Sequence, residues 1–428
     1  AGTNAIQAGA YAPFAFTLTR DDPQQEYGRI EARLPPGLLP IISGIPLCAE
    51  PLIASGTCGA QSLIGHVLAS IGPGPHPFYL PGSVYITGPY EGEPYGLVVV
   101  VPAIAGPFNL GTIVVRAGVG IDPTDAHLRI SSQPLPRIVD GIPLQVKTVS
   151  ISIDRPDFMF NPTGCGAKGV GGTIGSAEGL SADVSSPFQV SGCAALGFAP
   201  KLKVSTAGHT SRGNGASLRI RLLTKGGPSA NPNGPIEANM RRFEVNLPRL
   251  LPARLTTLQQ ACPEALFEQN PAACPHGSDV GFAKAATPIL ATPLQGPVYL
   301  VSHGGQKYPE LVAVLQGAGV TLEVGGRTEI RSGVTYSRFE SIPDAPLKSF
   351  ELTLPQGPHS ALSANATRLC GRRLTMPTLI EGQNGALIKE TTRIAITGCK
   401  HRHSRAKKTL KPGPAKKAGG HRRAVAKK

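Results

Sequence analysis

Asp154 and Asp157, in Ile153-Asp154-Arg155-Pro156-Asp157-Phe158, are the nearest this sequence comes to a carboxylate pair for acid/base work. Glycoside hydrolysis does use two carboxyl groups, but at a set spatial separation that sequence proximity does not supply. The string reads better as a turn in which aspartate bonds its own backbone. Ser302-His303-Gly304-Gly305 sets a hydroxyl beside an imidazole. Adjacent residues of a strand point to opposite faces, so the two do not form a nucleophile and its base. Gly169-Val170-Gly171-Gly172-Thr173-Ile174-Gly175 has the composition of a phosphate loop without the strand-to-helix context, and it reads as a flexible turn or bulge. Cys274 and His276 carry ligand chemistry, but no second close pair completes a tetrahedral zinc site. With no G-x-S-x-G, H-E-x-x-H or G-x-x-x-x-G-K-[ST] string either, the reading is a non-enzyme without metal or cofactor.

Binding chemistry is better represented. Phe78, Tyr79, Tyr90 and Tyr95 crowd into one segment, with Tyr85 among them. Exposed, they would make a stacking surface for a glycan or a partner protein; Trp 0 weakens the glycan version. The competing reading puts Tyr85 in the core and uses the other rings to pad Pro-rich turns.

Charge supplies the second binding element. The formal net charge is +15, but Lys400 to Lys428 holds twelve basic residues and no acid. They are Lys400, Arg402, Arg405, Lys407, Lys408, Lys411, Lys416, Lys417, Arg422, Arg423, Lys427 and Lys428. The remaining thirty bases face twenty-seven acids, so the body is near neutral. With Leu410 and Val425 as its only large apolar residues, the segment reads as a disordered polycation. Its partner would be an anionic cell-wall polymer or a membrane surface, with no base-reading fold to recognise nucleic acid by sequence.

Positioning these features falls to short strands. Gly 52 and Pro 42 in 428 residues, with abundant Val, Leu and Ile, suit many strands joined by tight turns. No apolar run approaches the roughly 18 residues of a membrane-spanning helix. Strands are expected at Phe14–Thr19, Gly28–Leu34, Gly82–Thr87, Gly96–Val101, Gly111–Ala117, His127–Ser132, Leu144–Ile153 and Ser186–Ser191. Helical turns are expected only at Pro51–Ala54 and Pro263–Glu268.

The eight cysteines reveal a period. Cys48, Cys58, Cys165 and Cys193 recur in order as Cys262, Cys274, Cys370 and Cys399, roughly 205 to 216 residues later. Flanking strings recur too: Leu34-Pro35-Pro36-Gly37-Leu38-Leu39-Pro40 answers to Leu247-Pro248-Arg249-Leu250-Leu251-Pro252, and Gly82-Ser83-Val84-Tyr85 to Gly296-Pro297-Val298-Tyr299. The pattern reads as a tandem duplication. Four cysteines in an independent repeat allow three connectivities, and pairing neighbours is the simplest. Four bridges imply an oxidising compartment, hence a secreted or cell-envelope protein. The expected architecture is all-β: two tandem, disulfide-stapled, immunoglobulin-like β-sandwich repeats over 1–197 and 198–399, then the basic tail 400–428.

Several strings carry a resemblance. Gly72-Pro73-Gly74-Pro75, Val101-Pro102-Ala103-Ile104-Ala105-Gly106-Pro107-Phe108, Phe160-Asn161-Pro162-Thr163 and Gly357-Pro358-His359-Ser360-Ala361-Leu362 resemble large secreted β-sandwich repeat proteins of high-GC actinobacteria, a family without established activity. The resemblance runs from Gly9 to Cys399 and implies export, paired cysteines and a basic tail. Ala1 stands without a preceding Met, which reads as removal of a signal peptide or as a cut in a longer precursor. Together these readings predict an exported, non-enzymatic envelope scaffold or interaction protein, with an adhesive or ligand-binding module at 78–95 as the alternative.

Overall fold

The computed structural model describes residues 2–3, 6–225, 237–399 and 419–420. The chain is all-β. In the N-terminal half the main strands are β1 (Phe14–Thr19), β2 (Tyr27–Arg33), β3 (Leu63–Ile71), β4 (Phe78–Thr87) and β5 (Tyr95–Ala105). They continue as β6 (Phe108–Ile121), β7 (Leu128–Ser132), β8 (Val146–Ile153), β9 (Lys168–Ser176) and β10 (Ser181–Phe188). The C-terminal half has β11 (Lys201–Ala207), β12 (Leu218–Leu223), β13 (Met240–Asn246), β14 (Asp279–Ala286), β15 (Leu294–Ser302) and β16 (Glu310–Gly317). It ends with β17 (Val320–Arg331), β18 (Val334–Phe339), β19 (Ser349–Leu354), β20 (Leu374–Gly382) and β21 (Leu387–Thr397).

An immunoglobulin-like sandwich divides its strands between two sheets. Here each half keeps its main strands in one hydrogen-bonded sheet. The N-terminal order is β1-β8-β3-β4-β5-β6-β7-β2-β9-β10, and the C-terminal order β12-β19-β14-β15-β16-β17-β18-β13-β20-β21 is the same with eleven added to each label. In the C-terminal half β11 lies antiparallel to β12 and parallel to β21, which closes the sheet into a barrel. In the N-terminal half, residues 6–8 span the corresponding seam through Ile6 O, Gln7 and Ala8 N on Ser191. The sequence pattern announces strands, but whether they split or close depends on edge pairing, which alternation does not encode.

Two local expectations need correcting. The glycine-rich run 169–175 is not a turn but the interior of β9. Its glycines serve close approach: a Cβ on Gly172 would stand 2.4 Å from the Glu31 carbonyl oxygen of β2, whereas one on Gly171 would meet open space. Helix is not confined to the cysteine loops. Besides α1 (Glu50–Ser55) and α3 (Glu264–Gln269) there is α2 (Leu255–Leu258). Proline stands at the start of α1 and as the N-cap of α3, where its missing N–H is harmless. The disulfides are Cys48–Cys58, Cys165–Cys193, Cys262–Cys274 and Cys370–Cys399.

The halves meet through strand ends. Tyr95 and Val119 belong to the buried cluster that includes Leu218, Phe243 and Leu300 of the C-terminal half. Beside this apolar contact sits the Asp344 carboxylate, 4% exposed. It accepts hydrogen bonds from Thr163 N (2.9 Å), Thr163 Oγ1 (2.6 Å), Gly164 N (3.0 Å) and Asn239 Nδ2 (2.9 Å). Four donors on one buried carboxylate replace the water it gave up. Gly37, at φ +91°, makes room for it, since a Cβ there would lie 2.8 Å from Asp344 Oδ2. Ile42 N and Ser43 N add bonds to Ile289 O, and Glu323 N bonds Pro123 O.

Candidate functional site

The aromatic segment runs along β4 and into β5, and this geometry separates its rings. Phe78 and Tyr79 open β4 at the end away from the junction, 57% and 61% exposed. Tyr90 and Tyr95 lie past the other end of β4, roughly 30 Å along the strand direction. Tyr90 belongs to the β4–β5 turn, held by reciprocal backbone bonds with Glu93 (3.2 and 3.0 Å). The Arg116 guanidinium covers its ring at 4.0 Å from the centroid and also clamps the Glu50 carboxylate at 2.7 and 3.2 Å. Its hydroxyl donates to Gln133 Oε1 (3.3 Å). Tyr95 is 8% exposed in the junction core, and burial pushes its phenol pKa up. Tyr85 packs, partly buried, against the Cys48–Cys58 cluster. Of the four rings read as one surface, the structure keeps two at the open end and commits Tyr90 and Tyr95 to structure.

Other apolar side chains join Phe78 and Tyr79 at that end. Ile104 near the end of β5 and Phe108 at the start of β6 are 54% and 66% exposed. Ile138 and Ile142, on the small hairpin 138–143, are 63% and 48% exposed. That hairpin is tied to the same end through Leu144 N on Arg137 O and Gly72 N on Leu144 O. Exposed apolar side chains gathered at one end of a body mark contact sites where they form a contiguous patch. No motif flags these residues; the only signals are large apolar side chains flanking Gly106-Pro107 and Asp140-Gly141, where turns favour polar ones.

The chemical candidates resolve individually. The Asp154 turn is present, with Phe158 N bonding Arg155 O (3.3 Å). Asp154 does not cap its own backbone, however: both its oxygens lie 3.0 Å from His66 Nδ1 on β3. Asp157 stands at φ 57° in the turn. His303 sits between two carboxylates, Nδ1 2.7 Å from Glu264 Oε1 and Nε2 3.5 Å from Glu310 Oε2, which ties α3 to β16. Cys274 is spent in a disulfide and offers no thiolate beside His276. Asp122, Asp125 and His127 bring ligand atoms within 4.8 Å of one another. Those atoms serve the turn itself: Asp122 Oδ1 accepts from Thr124 N and Asp125 N, and Asp125 Oδ1 lies 2.6 Å from His127 Nδ1. The positions expected to bind a polyanion, from Arg402 to Lys428, lie outside the described residues.

Comparison of the chain with protein-family models finds no match, and comparison with curated proteins finds none either.

Proposed function

We propose that the chain is an exported, non-enzymatic interaction protein of the cell envelope. Its two barrels, read as a tandem duplication, form one stiff body, and the Lys/Arg-rich C-terminal segment holds that body on anionic wall polymer or membrane surface. The observation that carries this reading is polarity along the body. The β20–β21 hairpin turns back at the junction, where Gln383 N bonds Asn239 O and Asn384 Nδ2 bonds Leu196 O. β21 therefore delivers Cys399, bridged to Cys370, to the end of the C-terminal barrel away from the junction. The exposed apolar tips occupy the opposite end of the N-terminal barrel. One end is thus free for a partner while the other leads into the basic segment. The four disulfides support an oxidising compartment, and the resemblance to secreted actinobacterial repeat proteins agrees with it.

The test compares the full chain with a 1–399 truncation on vesicles containing an anionic lipid and on purified anionic wall polymer. Binding should require the basic segment, weaken with salt and leave the thermal unfolding of the body unchanged. A truncated chain that stays bound refutes the attachment. A second reading, contact by the apolar tips with a partner protein, is favoured by the exposure of Phe78, Tyr79, Ile104 and Phe108. Replacing Phe78 and Tyr79 with Ser should remove retention by envelope proteins, and unchanged retention would dismiss it.

A further inference from the structure

A closed barrel of eleven strands has a lumen wider than inward side chains readily fill. The C-terminal barrel holds a partly open cavity of about 250 Å³ and the N-terminal sheet one of about 190 Å³. Close-packed interiors hold few voids larger than a water molecule, and an engineered cavity of about 150 Å³ already admits benzene. The two cavities share Pro40, Ile42, Tyr95, Val119 and Leu128 as lining, so they abut at the junction with these side chains forming a waist between them.

The walls define the guest. Leu, Ile and Val dominate both linings. Several polar side chains on the larger wall already have partners. Asn239 donates to Asp344, Glu237 pairs with Lys225 Nζ (3.1 Å), Thr287 donates to Pro346 O (2.8 Å) and Thr335 accepts from Ala253 N (2.9 Å). A guest would meet mostly hydrocarbon, with the hydroxyls of Tyr95, Thr328 and Ser337 among the few polar groups on the larger wall, and recognition would rest chiefly on shape and desolvation. Two lobes joined through a waist suit a long flexible guest better than a compact one.

We propose that the interior of the two barrels binds one hydrocarbon chain, that of a fatty acid or another single-chain lipid, lying through the waist at Tyr95. This makes the protein a lipid-binding body irrespective of how its basic segment attaches.

The test titrates the full, delipidated chain with a fluorescent polyene fatty acid and displaces it with palmitate. Saturable binding of a single chain per protein molecule is expected. Ala313, buried on β16 and lining the larger cavity, is changed to Phe to fill it. Ala313→Phe should weaken binding at least about tenfold, a loss of roughly 1.4 kcal/mol, while thermal unfolding shows the fold retained. Should Ala313→Phe fail to fold, Leu315→Phe at the same wall adds less volume and carries the same expectation. Absence of saturable binding by the unaltered chain, or unchanged affinity in a folded, filled variant, overturns the proposal. Mass spectrometry of the undelipidated protein under native conditions gives an independent readout: a co-purifying lipid mass, displaced in the filled variant, is expected.

Discussion

Removing the Asp344 carboxylate should loosen the whole molecule, because that one side chain ties together three segments from both halves. In Asp344→Ala, Thr163 N, Thr163 Oγ1, Gly164 N and Asn239 Nδ2 lose their acceptor at a site only 4% exposed. Each buried donor left without a partner costs about 1–3 kcal/mol. Water entering the vacated space recovers part of this, so the net loss works out at about 4 kcal/mol, in the range measured when one member of a buried charged network is deleted. That is a large share of the 5–15 kcal/mol or so that stabilises a typical domain. The assay is equilibrium unfolding in denaturant with the disulfides intact, followed by tyrosine fluorescence. The shared core predicts one transition for the parent protein, moved to lower denaturant or split in two by the substitution. Thr163→Val alone and combined with Asp344→Ala completes a cycle whose coupling should reach about 1–2 kcal/mol. A loss below about 1 kcal/mol for Asp344→Ala, or additive changes in the cycle, would refute the view that this carboxylate fastens the junction.

Three further outcomes follow from particular contacts. Tyr27, 7% exposed and with no hydrogen-bond partner for its hydroxyl among the described residues, has its phenol pushed up to about 12, chiefly by burial, with Arg20 opposing. A raised folded-state value means the stability from burying the neutral phenol is complete below the unfolded value of about 10 and is lost as pH climbs through the folded one. Melting temperatures across that alkaline window should fall less steeply in Tyr27→Phe, and parallel curves would contradict the assignment. On β9, Gly172→Ala drives a Cβ to 2.4 Å from Glu31 O and should cost about 2 kcal/mol, whereas Gly171→Ala meets open space and should be nearly neutral; equal effects in chemical unfolding would dismiss the close-approach argument. Among the disulfides, the Cys165–Cys193 loop spans 28 residues and the Cys48–Cys58 loop 10. Paired Cys→Ala replacements should each cost about 3 kcal/mol, the longer loop nearly ~1 kcal/mol more if unfolded-chain entropy dominates. The reverse order would place the effect in the folded state.

What the amino-acid sequence determined by itself was local and periodic. Alternation marked Phe14–Thr19 to the residue and overlapped the other seven strands expected in the N-terminal half, since period two is a property of neighbouring residues, while Leu63–Ile71 and Lys168–Ser176 escaped it. Recurrence of four cysteines led to the neighbour pairing that the disulfides adopt, because a bridge across a short loop asks only that the chain turn. Prolines at the openings of α1 and α3 announced helical turns for an equally local reason. The run 169–175 misled because glycine suits both turns and tightly apposed strands, and only the Glu31 carbonyl across the sheet decides between them. The tyrosines misled in the same way. Phe78 and Tyr95 sit on neighbouring strands, and tertiary packing sent one to solvent and the other to a core completed by residues more than a hundred positions later. Tertiary structure alone decided that β11 closes a barrel, that Asp344 lies under Thr163 and that two lumens meet at Tyr95. Each depends on which backbone edges and side chains become neighbours once distant segments are packed together, and spacing along the chain carries no record of that.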